Sequence, residues 1–167
     1  MVDARLTRFS GVVLTGGRST RMGQDKAFLR LADRSEPLVM TSARALRDAG
    51  AAGVVCVGGA RAKLTALGLD VVPDDHPDEG PLGGLLTGLR VARLPIVVVL
   101  TCDMPSIDAV SVRTMVQALI ERPDADGPWM VRFFPEGISR GVILWGLADA
   151  FAAADGSRPA AVSGVDS

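Results

Sequence analysis

The sequence predicts an α/β fold, a Rossmann-like three-layer sandwich with a mostly parallel central sheet. Short apolar, β-branched runs recur at 11–14, 54–57, 69–72 and 96–100, and segments with helical signals lie between them. Strands that are apolar on both faces and alternate with helices belong in a parallel sheet covered on both sides. The chain has 167 residues, 48% of them apolar, and a formal net charge of -1. That balance suits one domain with its own core and excludes disorder as the main state.

Taken in order, the first run ends directly at Thr15-Gly16-Gly17. Ser35-Glu36-Pro37 then opens 38–50, which stops at Gly50, so an N-cap, an early proline and a terminal glycine bracket a helix. The runs 54–57 and 69–72 read as strands. Gly80-Pro81-Leu82-Gly83-Gly84 opens a segment whose Leu85, Leu86, Leu89 and Val91 read as a buried helix. The run 96–100 suits a buried strand. Within 111–122, Val112, Met115, Val116, Leu119 and Ile120 form one apolar helix face that stops before Pro123. Further on, 131–134 and 142–145 read as strands and 147–154 as a short helix. A single domain over 1–155 is expected, with 156–167 as a small-residue, polar, flexible tail.

Composition narrows the partners. With pI ≈ 5.8 the chain has no general attraction for nucleic acid or anionic membrane. Mean hydropathy is +0.30, yet no window of 18 apolar residues exists and the first residues lack a signal-peptide core, so a cytoplasmic protein is expected. Cys56 and Cys102 sit inside apolar runs with no CxxC or Cys/His cluster and read as small buried hydrophobes. His76, the single histidine, lies in an acidic turn, where a rim position is expected rather than a catalytic one.

In open parallel sheets, ligands bind at the carboxyl ends of the strands near a switch in strand order, so the residues just past each strand matter most. After the first strand, Gly16 and Gly17 allow close backbone approach, and successive N–H groups of such a loop form an anion-binding concavity. Arg18, Arg21 and Lys26 add three cations, with Asp25 the only acid among them, a composition suited to a triphosphate. Neither GxxxxGK[ST] nor GxGxxG is present. The competing reading is a surface loop with solvated basic residues. Asp103 stands at the tip of the 96–100 strand, where a carboxylate can hold Mg²⁺ or cap the next helix. Asp74 also ends a strand. An ionised carboxylate there can accept from two adjacent donors, such as the N1–H and amine of guanine, a pair cytosine lacks, or it can be a solvated turn acid. Gly83 and Gly84 allow either approach of a ribose or base at a helix N-terminus or tight packing of helix on sheet.

Residues 14–29, LTGGRSTRMGQDKAFL, closely resemble the signature of the MobA-like nucleotidyltransferases, roughly L-x-G-G-x-S-x-R-M-G-x-D-K. GPLGGL at 80–85 and TCDMPSI at 101–107 come next, in the family's order. The double glycine and the Asp25-Lys26 pair make the likeness strongest to the molybdenum cofactor guanylyltransferases. The resemblance implies transfer of GMP from GTP to the terminal phosphate of molybdopterin-bound molybdenum, with release of pyrophosphate. It implies Mg²⁺ as cofactor, held by Asp103. The nucleotide would be bound by Leu14, Thr15, Gly16, Gly17, Arg18, Lys26, Asp74, Gly83 and Asp103, with the N–H groups of 14–17 facing it. Lys26, Arg21 and Asp103 would be catalytic, the first two on the phosphates. Because the attacking phosphate is already ionised, no general base is needed. GTP and the molybdopterin cofactor are the implied substrates, and a molybdoenzyme or cofactor-delivery protein the implied partner.

Beyond Asp126 the resemblance fades. The family's later Pro-Leu-x-x-x-[Tyr/Trp] segment is at best echoed by Gly141-Val142 and Trp145, and its Asn-x-Asn-x-Pro is missing, since the chain contains no asparagine. Trp129, Phe133, Phe134 and Trp145 read either as core or as the wall of a pterin pocket. Two classes therefore stay open: a transferase, guanylyl first with cytidylyl or another nucleotidyl as the variant, and a nucleotide-binding accessory protein without transferase activity.

Overall fold

In chain order the elements are β1 (Ser10–Leu14), α1 (Leu38–Asp48), β2 (Gly53–Val57), α2 (Arg61–Ala66), β3 (Asp70–Val72), α3 (Gly80–Val91), β4 (Ile96–Thr101), α4 (Ala109–Glu121), β5 (Met130–Phe133) and β6 (Arg140–Trp145). A single 3-10 turn spans Lys26–Phe28. This computed structural model describes residues 8–16, 25–32, 35–77, 79–121, 130–133 and 140–145, the last two groups by backbone only. Readings that fall on Gly17, Arg18, Arg21, Asp78, Trp129, Phe134, the 147–154 helix and the 156–167 tail lie outside the described residues, as do the side chains of Phe133 and Trp145.

The strands form one sheet in the order β3-β2-β1-β4-β6-β5. All neighbours pair in parallel except β5, which runs antiparallel to β6. The mostly parallel sandwich expected from the sequence is therefore the fold. Period-2 alternation sends Val12, Leu14, Val57, Val97 and Val99 to one face and Val13, Cys56, Val98 and Leu100 to the other. Leu85, Leu89 and Ala92 of α3 and its C-cap cover the first face. Residues of α1, α2 and α4, among them Val39, Leu46, Leu64, Val112 and Val116, cover the second. β1 and β4 read as continuous apolar runs because each is covered on both sides.

The helix ends depart from the sequence reading in places. At the start of α1, Pro37 occupies the cap position and no side chain caps the helix, so Ser35 does not serve as the cap. At its end Gly50 takes φ 101°, a left-handed conformation that favours glycine, as the bracketing glycine implied. On α3, Leu86 and Val91 are only half-buried, and the buried face is instead Gly83, Gly84, Leu85, Thr87, Gly88 and Leu89. Gly88 belongs there because a side chain would start 2.8 Å from Val12 Cγ1. α4 shows the expected apolar face, with Val112, Val116 and Leu119 buried.

β1 lies between β2, reached through α1 on one face, and β4, reached through α3 on the other. The strand order thus switches between β1 and β4, and their carboxyl ends carry Thr15-Gly16 and Asp103.

Candidate functional site

Three turns meet at the carboxyl rim. At the exit of β1, the N–H groups of Thr15 and Gly16 both donate to the carbonyl of Val57, each at 3.0 Å. The single hydrogen of the buried Thr15 hydroxyl is shared between the carbonyls of Val57, 3.0 Å away, and Gly58, 2.9 Å away. Leu14 pairs with Val57 and Thr101, and its carbonyl accepts from Cys102 N–H at 3.2 Å. This corrects the assignment of the N–H groups of 14–17 to a nucleotide: those of Thr15 and Gly16 are engaged in extending the β1–β2 pairing.

The β2 exit, Gly58-Gly59, has φ of 73° and 76°. A side chain on Gly59 would start 2.8 Å from the Thr15 carbonyl oxygen. One on Gly58 would start 3.0 Å from Gly16 Cα and 3.6 Å from Asp74 Cβ. Positive φ and close approach both require glycine here. These two residues join the turns after β1, β2 and β3 into one floor, and the sequence reading passed over them. Their signal was present, a glycine pair directly after an apolar run, as in the β1 loop.

Lys26 and Asp103, 77 positions apart, come together at this rim with Nζ 3.4 Å from Oδ2. Both side chains are about half exposed, at 47% and 41%, so the pair faces solvent at the rim rather than the core. Local chemistry aims Lys26. Asp25 caps the 3-10 turn by accepting from Ala27 N–H at 3.1 Å, and Ala27 is buried in the core beneath. The acid in the Asp25-Lys26 pair is thus a cap, and the lysine is the outward group. Asp103 does not cap the following helix; Asp108 does, accepting from Ser111 N–H at 2.8 Å. That hydrogen bond holds the Asp108 carboxyl below its ordinary range. Ser42, fully buried on α1, donates to the Thr101 carbonyl at 2.8 Å and so ties down the strand end that carries Asp103.

Asp74 is held by its own loop and by α3. Its Oδ1 accepts from His76 N–H at 2.9 Å and from the Thr87 hydroxyl at 3.0 Å, and Thr87 Oγ1 accepts from Asp75 N–H at 3.0 Å. With two donors on Oδ1, only Oδ2 lacks a partner among the described residues. A recognition mode that needs both oxygens free for a base edge does not match this arrangement. Gly83 is explained by packing: a side chain there would start 2.3 Å from the His76 carbonyl oxygen. A side chain on Gly84 would start 3.3 Å from Leu14 Cδ2 and 3.7 Å from Asp74 Oδ2, so without one the backbone leaves room beside that oxygen. His76 itself is exposed in the turn, Nδ1 3.4 Å from Glu79 Oε1, at the rim as expected.

Both cysteines are free. Burial pushes the Cys56 thiol up to about 11; burial, with the Asp103 charge next, pushes Cys102 up to about 12. Neither thiol is a nucleophile at neutral pH. Among the described residues no cluster of three His, Cys, Asp or Glu side chains could cage a metal. Asp103 offers one exposed carboxylate, a hard oxygen donor. That set fits an ion such as Mg²⁺, which takes one or two protein carboxylates and completes its shell with phosphate oxygens and water. Also among the described residues, no helix is long and apolar enough to cross a membrane.

Comparison with known proteins finds a matching family and relatives of similar sequence. The family model described as "MobA-like NTP transferase domain" matches residues 11–132. A probable molybdenum cofactor guanylyltransferase of Opitutus terrae is 40% identical over 111 residues, 65% of this chain and 54% of that protein. The molybdenum cofactor guanylyltransferase of Pseudomonas aeruginosa PAO1 is 37% identical over 134 residues, 79% of this chain and 66% of that protein. The chain thus spans between 46% and 66% of the length of such curated relatives. Among solved structures, Rv0371c from Mycobacterium tuberculosis H37Rv superposes with a TM-score of 0.54 at 28% identity, over 68% of this chain and 59% of that one. A nucleotidyl transferase from Methanothermobacter thermautotroptrophicus shares the fold, with a TM-score of 0.56 at 23% identity over 74% of this chain and 64% of that one.

Proposed function

The chain belongs to the MobA-like NTP transferase family, and we propose that it transfers GMP from GTP to the phosphate of the molybdopterin-bound molybdenum cofactor, releasing pyrophosphate. The observation that carries this reading is the meeting of Lys26 and Asp103 at the switch point, beside the Gly16–Gly58–Asp74 floor. An ammonium and a carboxylate on one rim suit a reaction in which the protein neutralises charge and holds the attack in line, with little covalent work of its own. The names of the guanylyltransferase relatives support the choice of nucleotide and acceptor.

In this reading the Lys26 ammonium binds the phosphates, joined by Arg18 and Arg21 from the loop that Gly17 opens. Asp74 contacts the nucleoside end through Oδ2, and the turn after β1 supports it from beneath. Asp103 would hold Mg²⁺, which when bound supplies Lewis-acid stabilisation of the charge developing on phosphate oxygens. Because the acceptor phosphate is ionised at neutral pH, no side chain has to remove a proton. His76 needs no catalytic role.

The test incubates the protein with Mg²⁺, molybdopterin-loaded acceptor and either GTP or CTP, and follows pyrophosphate. Release with GTP alone supports guanylyl transfer, and release with CTP alone moves the assignment to cytidylyl transfer. GTP binding without release from either nucleotide makes the chain a nucleotide-binding accessory protein and overturns the transferase reading.

A further inference from the structure

We propose that Thr87 is a positioning residue that fixes the plane of the Asp74 carboxylate, and so the direction its second oxygen offers to the nucleotide. The inference rests on the reading of Asp74 as a nucleotide contact. Thr87 is 1% exposed on the sheet-facing side of α3, where a hydroxyl has to be hydrogen-bonded. Its oxygen accepts from Asp75 N–H at 3.0 Å, and its own hydrogen is directed to Asp74 Oδ1, also at 3.0 Å. Oδ1 has a second donor in His76 N–H at 2.9 Å. The last torsion of an aspartate is broad, so an unheld carboxylate tilts its plane away from any one direction. The pair of donors stops that tilting. Oδ1 stays against the protein and Oδ2 stays beside the bare backbone of Gly84. Valine at 87 would keep the shape and remove the hydroxyl, freeing the carboxylate to tilt.

The experiment titrates the full chain with Mg²⁺-GTP by calorimetry, in the parent and in Thr87→Val, Thr87→Ser, Asp74→Asn and the Thr87→Val/Asp74→Asn double variant. Thr87→Val should weaken GTP about tenfold, or about 1.4 kcal/mol. Thr87→Ser, which keeps the hydroxyl, should stay within about twofold of the parent, and the double variant within about twofold of Asp74→Asn alone. A purely structural threonine would not show that loss of additivity. If Asp74→Asn weakens GTP but Thr87→Val does not, the positioning role fails while the reading of Asp74 stands. Effects that multiply in the double variant, or a serine that fails to restore affinity, also overturn it. An unchanged affinity in Asp74→Asn removes the reading of Asp74 and the inference with it. Should Thr87→Val not fold, Thr87→Ala carries the same expectation without the crowding of a second methyl group.

Discussion

Replacing Gly83 by alanine would place a methyl carbon 2.3 Å from the His76 carbonyl oxygen and 2.7 Å from His76 Cβ. The obstacle is backbone, so no rotamer change relieves it. α3 is pressed against β1, where a side chain on Gly88 would start only 2.8 Å from Val12, so the segment around His76 has to move. Restoring an ordinary contact takes a shift of roughly 1 Å. Such a shift stretches the 3.0 Å bonds from Thr87 to Asp74 and from Asp75 to Thr87 beyond hydrogen-bonding range. Overpacking of this kind costs about 1–3 kcal/mol, and the better helix propensity of alanine returns about 0.8–1.0 kcal/mol. With a backbone obstacle and two hydrogen bonds lost the cost lies in the upper part of that range, so the net loss is about 1–2 kcal/mol, which at about 2–4 °C per kcal/mol lowers Tm by about 2–8 °C. Gly84→Ala is the internal control. Its methyl meets only the flexible end of Leu14 at 3.3 Å, so stability should hold or rise, by at most about 1 kcal/mol. That methyl also stands 3.7 Å from Asp74 Oδ2, so GTP binding should weaken. Thermal unfolding followed by circular dichroism, with GTP calorimetry on both variants, checks the pair. A Gly83→Ala protein that melts at or above the parent temperature refutes the packing argument.

Lys26→Ala and Asp103→Ala should each cut pyrophosphate release by at least about a hundredfold. Because a half-exposed ion pair contributes only about 0.2–1 kcal/mol, Tm in the same variants should barely move. Thr15→Val should lower stability by about 1–3 kcal/mol in urea unfolding, because the Gly58 carbonyl loses its hydroxyl donor, while Thr15→Ser should recover most of the loss. In the native protein at pH 8, a thiol reagent should label neither cysteine at an appreciable rate, and denaturant should expose both. Folding raises both thiol pKa values, from 9.0 to about 11 for Cys56 and about 12 for Cys102. Below pH 9 their contribution to stability is complete. It is lost as pH climbs through that window, because the unfolded thiols ionise first. Thermal melts at a series of alkaline pH values should therefore fall from about pH 9 upward; a flat profile up to pH 11 would contradict the burial.

Local patterns were legible where a residue's role depends on near neighbours. The β-branched runs announced β1, β2 and β4, and the spacing of Val112, Val116 and Leu119 announced α4, since burial periodicity is a property of a few consecutive residues. Lys26, Asp74 and Asp103 stood out because each comes after a strand or in its loop. What escaped were residues whose meaning comes from a distant partner. Thr87 looks like any helix threonine until Asp74, 13 positions earlier, is folded onto it. Gly58-Gly59 looked like an ordinary turn until the Thr15 carbonyl was found against it. α2, only six residues long, has too few turns for a period to be read.

The sequence by itself determined the fold class and the family, because a parallel sheet demands continuous apolar strands and the family's motifs are contiguous in the chain. Tertiary structure decided how those motifs are used. Pairing of β1 with β2 engaged the Thr15 and Gly16 N–H groups that a free loop would offer to an anion. The return of α3 over β1 turned Gly83 into a packing glycine and left Asp74 with one oxygen engaged by two donors and the other beside Gly84. Hydrogen-bond acceptors saturate, and a carbonyl or carboxylate arriving from elsewhere in the chain determines which donors remain for a ligand.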